Sequence, residues 1–197
     1  MLQFLKRSLI KLLYHPRGIS IGGTSLVHRP HTIYGRGCIR IGERSITLRD
    51  AYFNAVTQYA GIRHHPKILI GDDVYIGRHV YFTAIDCILI GDGYVLSEQV
   101  YIMDLAHGMA PDRGLIMKQP LESKGLVQIG PHCFVGYRVS ILLGITLGEH
   151  CVVGTNAVAT RSFPAYSMIA GSPARLIKTY SPETGKWVSV SEPLTPA

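Results

Sequence analysis

Nine histidines are the side chains of this 197-residue sequence best suited to moving a proton near neutral pH, and their positions sort them. His28, His31, His79, His132 and His150 fall inside a regular six-residue pattern, at positions expected on turns or outer faces. His15 follows a basic N-terminal stretch, and His64 and His65 lie on a loop between repeats, where they could border a pocket. His107 stands apart. It closes the run Ile102-Met-Asp-Leu-Ala-His-Gly108, where the pattern breaks off into a long excursion. A neighbouring acceptor would fix its tautomer; Asp104 is a candidate and a backbone carbonyl an equal one. No Ser or Cys stands in an elbow or triad arrangement that would make it a nucleophile. Cys38, Cys87, Cys133 and Cys151 form no Cys-x-x-Cys pair; Cys133 and Cys151, 18 residues apart, share an inward repeat position and read as stacked core thiols.

The elements that must position these groups are set by the period. An aliphatic residue returns every six positions at Ile129, Val135, Ile141, Leu147 and Val153, then Ala159, with Gly following at 130, 136, 148 and 154. Four positions after each comes Cys133, Val139, Ile145, Cys151 or Ala157. Six matches neither a helix nor a lone strand; it matches a short strand plus a tight turn, repeated. The register begins at Ile21 and gives about six rounds, each of three short strands stacked on its neighbours. Gly, Asn or Asp at the corners is expected to supply positive φ. Rounds at 21 and 41, and at 70 and 90, are 20 apart, which implies a two-residue bulge at one corner. Larger excursions occupy 54–66 and 107–124. Residues 1–18 form a cap, with an amphipathic helix carrying Leu2, Leu5 and Leu9 between Lys6, Arg7 and Lys11. Residues 19–165 form the coiled domain, 166–197 a C-terminal segment whose tail from Tyr180 is expected to be loosely ordered.

Composition narrows the partners. Net charge is +7, which suits anionic lipid or a phosphorylated small molecule; the basic residues are scattered and no nucleic-acid motif accompanies them. No 18-residue apolar run exists to span a membrane, and the start is too interrupted by charge for a signal-peptide core, so a cytoplasmic location is expected. The N-terminal helix either covers the first coil or touches the inner face of a membrane.

The repeat resembles the left-handed parallel β-helix of hexapeptide-repeat acyltransferases, an all-β solenoid of triangular coils. Two further segments sharpen the resemblance. Ala170-Gly-Ser-Pro-Ala-Arg-Leu-Ile-Lys178 looks like the A-G-[NS]-P-A-[RK]-x-[IL]-[KR] terminus of its acetyltransferase branch. Asp104-x-x-His107-Gly, a loop through Lys118-Gln-Pro-Leu-Glu122, and Val127-Gln-Ile-Gly130 resemble the sugar and polysaccharide O-acetyltransferases. The resemblance implies acetyl-CoA as co-substrate, a sugar or glycan acceptor from a surface-polysaccharide or lipopolysaccharide precursor, a homotrimer and no metal. It makes His107 the general base that takes the acceptor hydroxyl's proton, a task that suits an imidazole. It places Tyr137, Thr155, Thr160, Arg161, Arg175 and Lys178 along the CoA, in a groove between subunits. Arg161 stands where the family commonly has Lys, and keeps the charge. Phe134 replaces a Trp that packs beside the acceptor in relatives.

Other readings use the same coil. One is N-acetylation of a nucleotide-linked amino sugar. A zinc carbonic anhydrase needs three converging His, with a close His-x4-His pair at His107, and position 112 is Asp. A non-catalytic scaffold would need neither His107 nor the intact C-terminal motif.

Overall fold

The computed structural model describes residues 18–29 and 32–190; the expected N-terminal helix and His15 and His31 lie outside them. Three parallel sheets wrap a single apolar interior. Sheet A stacks β1 (Ile19–Ile21), β4 (Ile39–Ile41), β9 (Lys67–Ile70), β12 (Cys87–Ile90), β17 (Val127–Ile129) and β20 (Thr146–Leu147). Sheet B stacks β2 (Leu26–Val27), β5 (Ile46–Thr47), β10 (Tyr75–Ile76), β13 (Val95–Leu96), β18 (Phe134–Val135) and β21 (Val152–Val153). It continues through β23 (Ser167–Gly171), β24 (Ala174–Ser181) and β25 (Lys186–Ser189). Sheet C stacks β3 (Thr32–Tyr34), β6 (Tyr52–Ala55), β11 (Tyr81–Ala84), β14 (Tyr101–Met103), β19 (Ser140–Ile141) and β22 (Val158–Ala159). The chain visits A, B and C in turn, so each coil is one triangle of a left-handed β-helix.

The six-residue period is the path from one inward position to the next. Ile41, Thr47 and Phe53 are inward and buried, as are Ile70, Ile76 and Phe82, and Ile90, Leu96 and Ile102. Register pairs like with like: Ile41 opposes Ile70, and Phe53 opposes Phe82 with stacked rings 5.2 Å apart. Cys133 and Cys151 are buried and stacked as expected, the Cys151 N–H donating to Cys133 Sγ at 3.2 Å.

The corners follow expectation in part: positive φ falls on Asp50, Asp73, Gly93, Gly144 and Asn156, but also on other side chains. The Gly that follows each sheet A strand is not there for positive φ. A Cβ on Gly130 would sit 2.7 Å from Glu149 N, so the residue is glycine because the next coil passes too close for a side chain. Two residues later positive φ falls on Arg44, Asp73, Gly93, His132 and His150, and in the last coil on Tyr166, so mostly on side chains other than glycine. Such a conformation costs about 1–3 kcal/mol in isolation, and here its side chains point outward and stack. His132, His150 and Tyr166 form successive rings at 4.9 and 5.3 Å. Carboxylates of Glu43, Asp72 and Asp92 take backbone N–H groups of Thr24, Glu43 and Asp72 on the same edge, which satisfies turn donors coil by coil.

A second departure is the tail. Rather than a loose segment from Tyr180, β24 and β25 form an antiparallel hairpin on the end of sheet B. The Tyr180 and Trp187 rings meet at 5.6 Å across it, and Gly185 turns it at φ 63°. These ring contacts extend the corner stack, which periodicity over 129–159 does not reach.

All surplus length collects at the corner from sheet C to sheet A. Steps from A to B and from B to C keep the six-residue spacing throughout. Between coils, Ile19 pairs with Ile39 and Ile68 with Ile88, whereas Ile39 pairs with Ile68 and Ile88 with Val127. Both excursions therefore leave the solenoid on one edge.

Candidate active site

His107 ends a short strand, β15 (Leu105–His107), that leaves the C-to-A corner and pairs antiparallel with β16 (Leu121–Ser123), His107 opposite Leu121. The chain between them is held in shape by one buried amide. Gln119 Nε2 donates to the carbonyls of Ala110 (2.8 Å) and Gly114 (3.0 Å), and its Oε1 accepts from Ala110 N–H at 3.0 Å. Three bonds from a single side chain turn a potentially loose loop into a fixed arm.

The first excursion folds into a second small hairpin, β7 (Gln58–Tyr59) with β8 (Ile62–Arg63). Only the tight corner at Ile85 and Asp86 separates the two in the stack. Asp104 is what keeps that corner tight: its fully buried carboxylate accepts the N–H groups of Ile85 (2.8 Å) and Asp86 (3.0 Å). Burial pushes its pKa up, against those backbone bonds, which pull it down. Both Asp104 oxygens thus accept backbone donors of the corner, and the side-chain bonds the structure records for it go there. Above it, Ile85, Leu105 and Leu121 make a small apolar cluster against which Val56 and Tyr59 pack. This brings the excursions together. The Tyr59 hydroxyl lies 3.4 Å from His107 Nδ1 and donates to the Met117 carbonyl at 2.6 Å, with the two rings edge to face at 5.4 Å.

His107 and Tyr59 border an open cavity of about 680 Å³ on the outer side of sheet C. Its floor is a line of tyrosines on adjacent strands, Tyr52, Tyr81 and Tyr101, in register with one another. Tyr34 extends the line; ring centres are 6.3, 5.5 and 6.2 Å apart. Burial, and then the neighbouring Tyr34, Tyr101 and Tyr81, push the Tyr52 pKa up. Asn54 and Thr83 add polar groups, and Met109, Ile116 and Leu121 close the side formed by the long arm. An exposed imidazole above a ring-lined, mostly apolar cavity can take a proton from a bound hydroxyl or amine.

The expected donor-side residues lie elsewhere. None of Tyr137, Thr155, Thr160, Arg161, Arg175 and Lys178 lines this cavity, nor does Phe134. Phe134 is exposed on the outer side of sheet B, and Tyr137 at the next corner donates to Gln99 Oε1 at 3.0 Å. Thr155 is exposed on a turn of the last coils and Thr160 just after β22, and the Arg161 guanidinium sits 5.2 Å from the Phe163 ring. Arg175 is exposed and Lys178 half-buried on β24. One chain thus assembles His107 with Tyr59 and the tyrosine wall, and leaves the basic groups on its C-terminal coils. Sequence reasoning missed Tyr59 because its loop carries no period. The tyrosine wall was legible in principle: Tyr52, Tyr81 and Tyr101 each precede an inward Phe or Ile. Among the described residues no three His, Cys, Asp or Glu side chains converge as a metal site, and no helix is long and apolar enough to cross a membrane.

A family profile described as "Hexapeptide repeat of succinyl-transferase" matches residues 126–161. The "Putative lipopolysaccharide biosynthesis O-acetyl transferase WbbJ" of Escherichia coli is 33% identical over 178 residues, 82% of this chain and 82% of that one. A "Probable acetyltransferase" of Mycobacterium tuberculosis is 39% identical over 116 residues, which is 58% of this chain but only 38% of that relative. Among solved structures, AntD, an N-acyltransferase from Bacillus cereus in complex with dTDP-4-amino-4,6-dideoxyglucose and coenzyme A, superposes with a TM-score of 0.69. Identity there is 17%, with 89% of this chain and 91% of that one covered, a likeness of fold.

Proposed function

Because the chain belongs to the hexapeptide-repeat acetyltransferase superfamily, we propose that it transfers an acetyl group from acetyl-CoA directly to a sugar, with His107 as general base. The observation that carries this is the placement of His107 at the rim of the tyrosine-lined cavity, braced by an arm that Gln119 shapes. Bound acetyl-CoA supplies a thioester carbonyl as electrophile. The chain supplies the rest. His107 takes the acceptor's proton as the acceptor atom bonds to that carbonyl carbon, and returns it to the departing sulfur, so no covalent enzyme intermediate is needed. Tyrosine faces and hydroxyls suit a sugar, whose ring has apolar C–H faces and polar edges.

The acceptor group is read as a hydroxyl on a surface-polysaccharide or lipopolysaccharide precursor, supported by the 33% identical relative, whose name points to O-acetylation in lipopolysaccharide biosynthesis. An amine on a nucleotide-linked sugar is the second reading, favoured by the AntD complex. Arg161, Arg175 and Lys178 fit a CoA phosphate site in charge, the two arginines also in exposure. None of the three lines the His107 cavity, which suits a homotrimer in which a neighbouring copy completes the site, with Tyr137, Thr155, Thr160 and Phe134 along the shared groove. The basic N-terminal stretch would bring a cytoplasmic enzyme to the inner membrane face, where lipid-linked acceptors lie.

The test is mass spectrometry of a panel of glycans and amino sugars after incubation with acetyl-CoA. A gain of one acetyl that mild alkali removes identifies an ester; an alkali-stable gain identifies an amide. His107→Ala is expected to lower transfer by at least about 100-fold at unchanged melting temperature. Turnover equal to the wild type would remove His107 as the base.

A further inference from the structure

We propose that Tyr59 is the positioning residue of His107, fixing its neutral ring as the Nδ1–H tautomer so that the lone pair stands on Nε2. The inference rests on His107 acting as the base. A tyrosine hydroxyl has one proton to give. Here that proton is committed, at 2.6 Å, to the Met117 carbonyl, which can only accept. What Tyr59 then turns toward His107 Nδ1, at 3.4 Å, is an oxygen lone pair. That oxygen complements Nδ1–H and opposes a bare Nδ1. The opposite tautomer would set two lone pairs against each other, or would oblige Tyr59 to release Met117.

Other groups near His107 do not compete for this role. Asp104, three residues earlier, spends both oxygens on Ile85 and Asp86. The Tyr59 ring also meets the imidazole edge to face at 68°, which limits how far the histidine can swing. At 3.4 Å the polar contact is long, as such contacts often are before substrate tightens them.

The consequence for the reaction is directional. Nε2 accepts the acceptor's proton as the new bond to the carbonyl carbon forms. The carbon–sulfur bond then breaks, and the same Nε2–H passes its proton to the leaving sulfur. Throughout, Nδ1–H keeps its place against Tyr59, whose oxygen favours the imidazolium while it exists. The same hydroxyl pins Met117, so a residue of the first excursion sets both the ring and the arm of the second.

The experiment is nitrogen NMR of selectively labelled histidine in the full-length protein, at a pH where His107 is neutral. His107→Gln assigns the resonance. The wild type is expected to show a protonated Nδ1 and a bare Nε2, the tautomer less favoured by free imidazole side chains in water. Tyr59→Phe keeps the ring and its packing, and should move the population toward Nε2–H. With acetyl-CoA and a p-nitrophenyl galactoside, kcat should fall roughly 3- to 10-fold with KM within about two-fold, the size expected for one modest hydrogen bond. An unchanged tautomer in Tyr59→Phe overturns the assignment, whatever the rate does. If His107→Gln turns over normally, the base reading fails. If His107→Gln is inactive while Tyr59→Phe matches the wild type in tautomer and rate, only the role of Tyr59 is lost.

Discussion

Replacing Asp104 by alanine separates a residue that acts on the histidine from one that holds the corner beneath it. In the structure the carboxylate takes the N–H groups of Ile85 at 2.8 Å and Asp86 at 3.0 Å. Ile85 is buried, so its N–H would be left without water or protein, at a cost of about 1–3 kcal/mol. Asp86 is exposed and its N–H can rehydrate, so it adds little. Burial of Asp104's own charge, the first cause of its raised pKa, returns part of the loss when the carboxylate is removed. A net destabilisation of about 2 kcal/mol follows, or a fall in Tm of roughly 4–8 °C for a chain of this size. The sign with pH is also set. A carboxyl whose folded pKa is raised binds its proton more readily in the fold than in the unfolded chain. Its contribution to stability therefore rises as pH falls through the folded pKa, and is complete below the unfolded value. Asp104→Asn has no such titration, so the stability gap between wild type and Asp104→Asn should widen, not narrow, as pH drops from neutral into the carboxylate range. Thermal melts over pH, with transfer rates measured well below Tm, check both. A Tm equal to the wild type's, with transfer reduced by two or more orders of magnitude, would refute the corner role and return Asp104 to the histidine.

Two further outcomes are expected. Phe82→Ala removes one of the stacked rings at 5.2 Å from a fully buried site and should cost about 3–5 kcal/mol by equilibrium unfolding; a loss under 1 kcal/mol would contradict the packed interior. Light scattering should give the mass of three chains, and a monomer that turns over fully would contradict a site completed by a neighbour.

How far the sequence could be read depended on what each residue's environment repeats. Inward positions such as Ile129, Val135 and Ile141 meet the same surroundings in every coil, so their identity recurs and the fold is visible in it. Glycine positions were visible as well, but for another reason than expected: the next coil's backbone approaches Gly130, while the strained turn falls on His132. The break in the period that singles out His107 was legible, and the structure places that residue at the rim of the cavity. Tyr59 was not, since its partner lies 48 residues away and the two meet only through register at one corner. Asp104, close in sequence, was the natural orienter on paper; short backbone donors claimed it first. The β24–β25 hairpin was hidden for a related reason, because its alternation is short and its packing surface is the ring of Tyr166, contributed by an earlier turn.

The concentration of surplus length on a single edge has an evolutionary consequence. The ladders of the three stacked sheets hold coil to coil, so residues added at the C-to-A corner leave those ladders whole, and lengthening a loop adds little closure entropy. The two hairpins behave as cassettes mounted on a shared rail. Exchanging one for a loop of different length would reshape the cavity while the solenoid folds as before, and the tight corner between them keeps the pair in contact. Divergence among such enzymes can then proceed by trading arms instead of redesigning a core. For the engineer, grafting both hairpins together as a unit is the natural first attempt at moving this cavity onto another coil.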